Sequence, residues 1–285
     1  MRNIRTIALA AAVAAAAAPA GAACLSDAEV DALAAAWADK RPAANPPEGM
    51  ALADGECTRA KLNQRLRATL GEPVGYKAGL TSAAVQQRFG HDAPVRGTLY
   101  KPMLLADGAT VDLPFGARPV FEADLLVRVS DASINQASTH DQVLAAIDQV
   151  IPFIELADLM VAAPPKLNGA SIAAINVGAR LGVMGTPVPV ARTAAFADAL
   201  NAMQVAVRVD GAETSRAPGA AILGHPLNAV TWLVQDLRKE GVMLKPGDLL
   251  SLGAFSPPAP PKAGAKVEVE YQGLPGSPRV GVAFR

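Results

Sequence analysis

The sequence predicts an α+β protein in which a helical N-terminal segment, residues 24–72, precedes a strand-rich domain, residues 73–285. Two observations support this fold class. Residues 26–38 and 58–70 carry apolar side chains at helical spacing before any strand pattern begins. From residue 74 onward, short apolar runs bounded by turn residues recur as far as the C-terminus, with few helical patterns between them.

Residues 1–23 are typical of a secretory signal peptide. Arg2 and Arg5 form a basic start, residues 7–18 are an unbroken apolar run, and residues 20–22 give a small-residue cleavage pattern. The run is too short for a transmembrane anchor. We therefore expect cleavage near Ala22 or Ala23 and export to the periplasm, with a lipoprotein anchored at Cys24 as a weaker alternative.

The composition argues against nucleic-acid and membrane partners. Cleavage would remove two of the 26 basic residues and no acids, so 24 basic residues would face 26 acidic ones. No basic amphipathic run predicts binding to a membrane surface. Aromatic residues make up 4% of the chain, too few to suggest base stacking.

The two cysteines, Cys24 and Cys57, both lie near the mature N-terminus. An exported chain meets an oxidising compartment, and an even number of cysteines fits a disulfide. A Cys24–Cys57 bridge is therefore preferred over a free buried thiol or an acylated Cys24. The bridge would tie the leading segment to the second helix.

In the N-terminal segment, Ser26 is the predicted N-cap of the first helix and Thr58 that of the second. Residues 40–55 are rich in Pro, Ala and Gly and predict a loop between them. Residues 74–82 then predict a short strand with Lys77 between two glycines. Burial there would lower the pKa of Lys77 towards the range useful for proton transfer, although such a lysine more often extends to solvent.

Residues 118–129 form the pattern around which the chain is organised. Phe121, Ala123, Leu125, Val127 and Val129 alternate onto one face of a strand, and Glu122 and Asp124 share the other. Glu155 lies in a later apolar run, residues 151–158. Three carboxylates on apolar strands suggest a cage for a hard divalent cation. The alternative is that Glu122 and Asp124 line the wet face of a half-buried strand.

Further elements follow in order. Residues 97–103 and 111–113 predict a hairpin across the Asp107–Gly108 turn, and Thr139 is the predicted cap of a helix at 139–150. Residues 172–185, small and apolar, predict close-packed strands.

The C-terminal part begins with a strand at 205–209 that opens a hairpin. A helix at 226–240 follows, with His225 at its start rather than as a ligand. The predicted closing strands are residues 249–253, 266–271 and 280–284.

Four motifs in this order resemble the 2-keto-4-pentenoate hydratase branch of the fumarylacetoacetate hydrolase superfamily, which includes 4-oxalocrotonate decarboxylases. They are GYKAGLTS at 75–82, FEAD at 121–124, IELAD at 154–158 and LGHPLNAV at 223–230. The resemblance implies a mixed β-roll of the fumarylacetoacetate hydrolase C-terminal type with flanking helices. Such proteins are often oligomeric, so a homo-oligomer is possible, and they bind Mg²⁺ or Mn²⁺.

The resemblance also implies roles for individual residues. Glu122, Asp124 and Glu155 match the metal ligands, and Lys77 matches the catalytic proton-transfer lysine. Lys166, with one inserted residue, and Asn176 match substrate-binding positions. The implied partner is a small 2-oxo acid.

The implied reaction adds water to a short 2-hydroxydienoate to give a 4-hydroxy-2-oxo acid. The sequence departs from the family at three places: Asp124 replaces a Glu, Val95 and Arg96 replace an acid, and residues 175–180 lack an acid and two serines. These departures leave open a non-catalytic periplasmic binder of a 2-oxo acid, or a decarboxylase or C–C hydrolase on the same fold.

Overall fold

The computed structural model describes residues 23–285, so all but the last residue of the predicted signal peptide lies outside the described part of the chain. Within that part, no helix is both long and apolar enough to span a bilayer. The helices are α1 (Asp27–Ala38), α2 (Leu52–Leu70), α3 (Ala83–Arg88), α4 (His140–Ala146), α5 (Gly169–Ala174), α6 (Ala194–Ala202) and α7 (Pro226–Lys239). The strands are β1 (Pro73–Gly79), β2 (Val95–Tyr100), β3 (Leu104–Ala106), β4 (Ala109–Val111), β5 (Pro119–Val129), β6 (Ile147–Asp158), β7 (Leu181–Met184), β8 (Val188–Pro189), β9 (Gln204–Val209), β10 (Ala212–Pro218), β11 (Leu249–Ser251), β12 (Lys266–Gln272) and β13 (Arg279–Phe284).

The strands form two mixed sheets. The larger has the order β2-β1-β11-β5-β6-β7-β3, with β8 also paired to β6, and the smaller has the order β10-β9-β12-β13-β4. The long antiparallel pair β5–β6 is the centre of the larger sheet, and β1 joins it through the short strand β11. This order brings the strand of Lys77 close to the two acidic strands.

Two apolar cores lie on opposite faces of the larger sheet. One contains Leu125 of β5, the inward side chains of the smaller sheet and the apolar faces of α4, α6 and α7. The other contains Leu126 of β5 and apolar side chains of α1, α2 and α5. Because neighbouring strand residues face opposite ways, Glu122 and Asp124 share the face of Leu126. The acidic side of β5 therefore faces the core that contains side chains of α1, α2 and α5.

The N-terminal segment agrees with the prediction at its start and differs in its second helix. Ser26 caps α1 through a reciprocal capping box with Glu29. The second helix begins at Leu52, six residues before the predicted cap, and no side chain caps it. Thr58 is instead buried within α2, where its hydroxyl accepts a hydrogen bond from the backbone N–H of Leu25. The predicted loop is shorter as a result.

A disulfide joins Cys24 to Cys57, with their Cα atoms 5.7 Å apart, as the sequence predicts. The bridge links the segment just before α1 to the first half of α2, across a sequence separation of 33 residues. It therefore restricts the unfolded chain more than a short-range bridge would.

Replacing both cysteines by serine is expected to lower the free energy of unfolding by about 3 kcal/mol, because the unfolded chain regains the entropy of an open loop. Urea denaturation of the oxidised protein and of the double variant measures the difference. Reduced wild-type protein should behave like the variant. If alkylation adds the same mass with and without prior reduction, the bridge is absent.

Three other predictions are wrong in detail. The hairpin across Asp107–Gly108 does not form, because β3 pairs with β7 in the larger sheet and β4 pairs with β13 in the smaller. The helix capped by Thr139 ends at Ala146, and β6 begins at the next residue. Residues 172–185 are not all strand, since α5 and a short 3₁₀ turn precede β7.

The remaining C-terminal elements match the prediction closely. The β9–β10 hairpin, the helix α7 and the closing strands β12 and β13 all form. His225 is the N-cap of α7, where its Nδ1 accepts a hydrogen bond from the N–H of Leu227.

Candidate active site

A cavity of about 100 Å³ opens between β1, β5 and β6 on one side and α3 and α5 on the other. Its charged lining consists of Lys77, Arg88, Glu122 and Glu155. Its remaining walls are largely apolar and include Leu80, Val85, Phe89, Val120, Ala157, Leu159, Ile172, Val177, Ala254 and Pro258. A small apolar cavity with a few convergent charged groups is typical of a ligand site.

The two glutamates face each other across the central strand pair. Glu122 of β5 and Glu155 of β6 are direct partners in the antiparallel register. Directly opposite residues project to the same face of a sheet with their Cβ atoms about 5 Å apart. Register therefore explains why two acids, 33 positions apart in sequence, line one cavity.

Asp124, two residues after Glu122 on β5, is fully buried. Its Oδ2 accepts a hydrogen bond of 2.6 Å from the hydroxyl of Ser251, and its Oδ1 accepts one of 3.0 Å from the N–H of Gly253. Gly253 has a φ of 115°, and a Cβ there would meet the Thr81 hydroxyl at 2.1 Å, so glycine is required. The alternative of a wet face for this part of β5 is wrong.

Lys77 is buried and does not extend to solvent, the two alternatives that the sequence left open. Its Nζ forms an ion pair with Glu155 and donates a hydrogen bond of 3.0 Å to the carbonyl of Val177. Both side chains of the ion pair are almost completely shielded from solvent. The ion pair fixes the ammonium group beside the two glutamates, at the floor of the cavity.

Burial and mutual repulsion act on the carboxylates. Burial, and next the negative charge of Glu155, raise the pKa of Glu122 to about 8. The same two causes raise the pKa of Asp124 to about 6, against the hydrogen bond from Ser251, which lowers it. When all three acids are ionised, three negative charges face the one ammonium of Lys77, an excess that a divalent cation would balance.

These pKa shifts predict how stability depends on pH. Because the folded protein holds protons that the unfolded chain releases, stability should fall as the pH rises from about 4.5 through about 8. In EDTA, the melting temperatures of the wild type and of Glu122→Gln should be nearly equal at low pH. As the pH rises, the melting temperature of the wild type should fall several degrees below that of the variant. Thermal melts across this range measure the gap. A constant gap would contradict the raised pKa of Glu122.

A strained turn supplies the carbonyl that accepts a hydrogen bond from Lys77. Asn176, Val177 and Gly178 all adopt positive φ angles, between 53° and 65°. This conformation is unfavourable for a branched residue such as Val177. Strain of this kind is often found at functional sites. Here it presents the Val177 carbonyl to Lys77 and the Val177 side chain to the cavity.

Two predicted substrate-binding residues lie outside the cavity lining. Lys166 is exposed on a short 3₁₀ turn and forms an ion pair with Glu48. Asn176 is buried, and its side chain pairs with both backbone groups of Thr98 and accepts from Asn63. In the structure Asn176 therefore holds β2 against α2, and its role in substrate binding stays a prediction.

Other residues of the site were not predicted from the sequence. Ser251 and Gly253 hold Asp124, and Arg88 joins the lining from the short helix α3. From the smaller sheet, the buried hydroxyl of Tyr271 reaches the backbone of Asp124 and Phe153, which pair across β5 and β6. Ser82 caps α3, and as a typical N-cap residue it was the available sequence signal for the short helix that carries Arg88.

The donor set fits a hard divalent cation in its chemistry, because carboxylate oxygens are the ligands that Mg²⁺ and Mn²⁺ prefer. It also fits in charge, as shown above. Within residues 23–285, however, no three His, Cys, Asp or Glu side chains are already arranged to hold a metal ion. The oxygens of Asp124 accept hydrogen bonds and Glu155 pairs with Lys77, so the predicted three-carboxylate cage is not formed by these side chains alone.

Comparison with known families places this site in a known fold. The model of the fumarylacetoacetate hydrolase C-terminal family matches residues 76–279, a span that includes Lys77 and all three carboxylates. The chain belongs to the fumarylacetoacetate hydrolase family. The assignment agrees with the resemblance noted in the sequence motifs.

Within the fumarylacetoacetate hydrolase family, the chain is similar to two kinds of enzyme. It is 31% identical over 246 residues to 2-keto-4-pentenoate hydratase 2 of Dechloromonas aromatica. This alignment covers 85% of this chain and 92% of the relative. It is also 30% identical over 227 residues to 4-oxalocrotonate decarboxylase of Pseudomonas sp. strain CF600. This second alignment covers 79% of this chain and 83% of the relative.

Solved structures confirm the predicted fold. The 4-oxalocrotonate decarboxylase of Pseudomonas putida G7, complexed with magnesium and adipate, superimposes with a TM-score of 0.80 at 25% identity. The match covers 91% of this chain and 97% of that one. Fumarylpyruvate hydrolase from Pseudomonas aeruginosa shares the fold more distantly, with a TM-score of 0.56 at 14% identity.

Proposed function

We propose that the protein is a metal-dependent hydro-lyase that adds water to a short 2-hydroxydienoate and releases a 4-hydroxy-2-oxo acid. The observation that carries this proposal is the cavity in which Lys77 lies beside Glu122 and Glu155. The similarity to 2-keto-4-pentenoate hydratases over most of the chain supports the reaction type.

Glu122 and Glu155, with Asp124 beside them, are the residues that would hold a divalent cation, Mg²⁺ or Mn²⁺. The magnesium in the related decarboxylase supports this choice. When bound, such a cation supplies a Lewis acid for the oxygens of a 2-oxo acid. Ser251 and Gly253 fix the carboxylate of Asp124 through hydrogen bonds, so its orientation does not depend on the ligand.

Lys77 is the residue to which we assign proton transfer. For 2-hydroxypenta-2,4-dienoate, Nζ delivers a proton to C5 and the resulting amine takes up the proton of the 2-hydroxyl, which gives 2-oxopent-3-enoate. The oxygen of a water molecule then bonds to C4 and one of its protons is transferred to C3, which gives 4-hydroxy-2-oxopentanoate. The apolar walls from Leu80, Val120 and Val177 exclude other water from the carbon chain.

The test is turnover of 2-hydroxypenta-2,4-dienoate by the mature protein, followed as loss of the dienoate absorbance with Mg²⁺, with Mn²⁺ and with EDTA. We expect loss that requires the metal ion and a 4-hydroxy-2-oxo product. Turnover that is equal in EDTA would contradict the role of the metal. Absence of turnover under all three conditions would contradict the hydro-lyase.

One observation favours a second candidate, non-catalytic binding of a 2-oxo acid. Val95 stands where the family carries an acid, and the neighbouring Arg96 is engaged by Asp236 and Glu240 of the α7 region. The lining therefore lacks a further acid near β2 among the described residues. This candidate would be supported if pyruvate or oxalate raised the melting temperature of the protein only when the metal ion is present, and if the protein did not turn over the dienoate.

A third candidate, decarboxylation, is favoured by the similarity to 4-oxalocrotonate decarboxylases. Release of CO₂ from 2-oxohex-3-enedioate by the same preparation would support it. Because the proposed 2-oxo acid site is shared, this outcome would change the reaction and leave the site in place.

We also propose that the protein acts after export to the periplasm. The signal-peptide pattern of residues 1–23 and the disulfide support this location, since disulfides persist in oxidising compartments. Expression of the full chain with a C-terminal tag, followed by fractionation and mass determination, tests the proposal. An uncleaved, cytoplasmic product would contradict it.

A further inference from the structure

The charged groups of the cavity lie at two depths. Glu155 and Lys77 are buried at the floor, whereas Arg88, the last residue of α3, is exposed at the rim. Apolar side chains such as Val85, Phe89 and Ile172 line the space with them. A ligand that fills the cavity therefore meets polar groups at the floor and at the rim, with apolar wall between them.

Arg88 is the cavity's only cation without a carboxylate partner in the described part of the chain. Lys77 is paired with Glu155, and arginines elsewhere, such as Arg65 and Arg216, also have acidic partners. The guanidinium of Arg88 instead lies 5.8 Å from the ring centre of Phe89, another lining residue. Its positive charge also acts on Glu122, whose pKa it lowers slightly against the larger effect of burial.

We propose that Arg88 binds a second carboxylate of the substrate, so that the site prefers dicarboxylic 2-oxo acids, or their dienol forms, to monocarboxylic ones. This inference rests on the proposed function, because it places the 2-oxo acid group at the floor of the cavity. A terminal carboxylate would then point towards the rim. Guanidinium groups bind carboxylates through two parallel hydrogen bonds, which suits recognition at an open rim.

Charge supports the same assignment. With a divalent cation bound, the negative charges of Glu122, Asp124 and Glu155 are balanced by the cation and Lys77, so the floor has no excess positive charge to attract a second carboxylate. Arg88 is the positively charged group that lines the cavity away from this floor. A methyl group at the same end of the ligand would leave the guanidinium solvated and gain no ion pair.

The experiment compares two unreactive ligands of equal chain length, 2-oxohexanedioate and 2-oxohexanoate, by calorimetry with Mg²⁺ present. We expect the wild type to bind the diacid about 10- to 100-fold more tightly, as for a charge-assisted hydrogen-bonded pair. In Arg88→Gln this ratio should approach one, and in Arg88→Lys it should be intermediate. Arg192→Gln, at an exposed arginine outside the cavity lining, should keep the wild-type ratio.

The outcomes separate this inference from the proposed function. Equal binding of both acids by the wild type, or the same ratio in Arg88→Gln, would overturn the role of Arg88 while the 2-oxo acid site stands. Failure of both acids to bind would overturn the inference together with the proposed function. Melting curves of the variants confirm folding, which an exposed residue at the end of a short helix should not disturb.

Discussion

Replacing Glu122 by glutamine is expected to weaken Mn²⁺ binding by at least about 100-fold, because even residues that only support metal ligands cost 10- to 100-fold when removed. Glutamine keeps the size of the side chain and removes its charge. Turnover of 2-hydroxypenta-2,4-dienoate at fixed Mn²⁺ should fall by at least the same factor. Titration of free Mn²⁺ by electron paramagnetic resonance measures affinity independently of activity.

The physical reason lies in the charge of the site. Glu122 faces Glu155 across the β5–β6 register and is the acid whose pKa burial and repulsion raise most clearly. Removing its charge relieves repulsion when no cation is present, so the variant should be at least as stable as the wild type in EDTA. A loss of metal affinity can then be separated from a loss of folding.

A matched control is Glu268→Gln on β12, where the side chain is partly exposed and pairs with Arg279 in the smaller sheet. It makes the same chemical change away from the cavity and should leave Mn²⁺ affinity within about threefold of the wild type, as expected of a surface ion pair. If Glu122→Gln also stayed within this range, Glu122 would not be a metal ligand.

The acidic strand shows what the sequence can reveal about such a site. Alternation along residues 118–129 placed Glu122 and Asp124 on one face, and the register of β5 with β6 then brought Glu155 opposite Glu122. Alternation alone could not show that this face is covered. Leu126, an apolar residue on the same face, was the local sign that this face packs against a core.

The features that the sequence did not reveal depend on contacts between distant residues. β3 and β4 resemble a hairpin locally, but their partners, β7 and β13, lie far along the chain. α3 is only six residues long, too short for a helical pattern to stand out, so Arg88 was not predicted at the site. Lys166 and Asn176 were assigned by resemblance, and motif spacing does not determine where a loop side chain points.

Replacing Lys77 by methionine is expected to lower kcat by about 10²- to 10⁴-fold, the range that a positioned proton donor usually contributes. Methionine keeps much of the apolar volume and removes the ammonium group. It also leaves Glu155 buried without its partner, which should destabilise the protein by about 3–5 kcal/mol. Circular dichroism and Mn²⁺ titration are therefore measured beside turnover.

Lys77→Arg separates proton transfer from charge balance. Arginine keeps a positive charge to pair with Glu155, so folding should largely recover, but its guanidinium does not release a proton at accessible pH. We expect kcat to remain low in this variant while stability returns towards the wild type. Lys262→Met, on the exposed loop before β12, is the control for the loss of a lysine. Recovery of kcat in Lys77→Arg would show that Lys77 acts through its charge and its ion pair with Glu155 rather than by moving a proton.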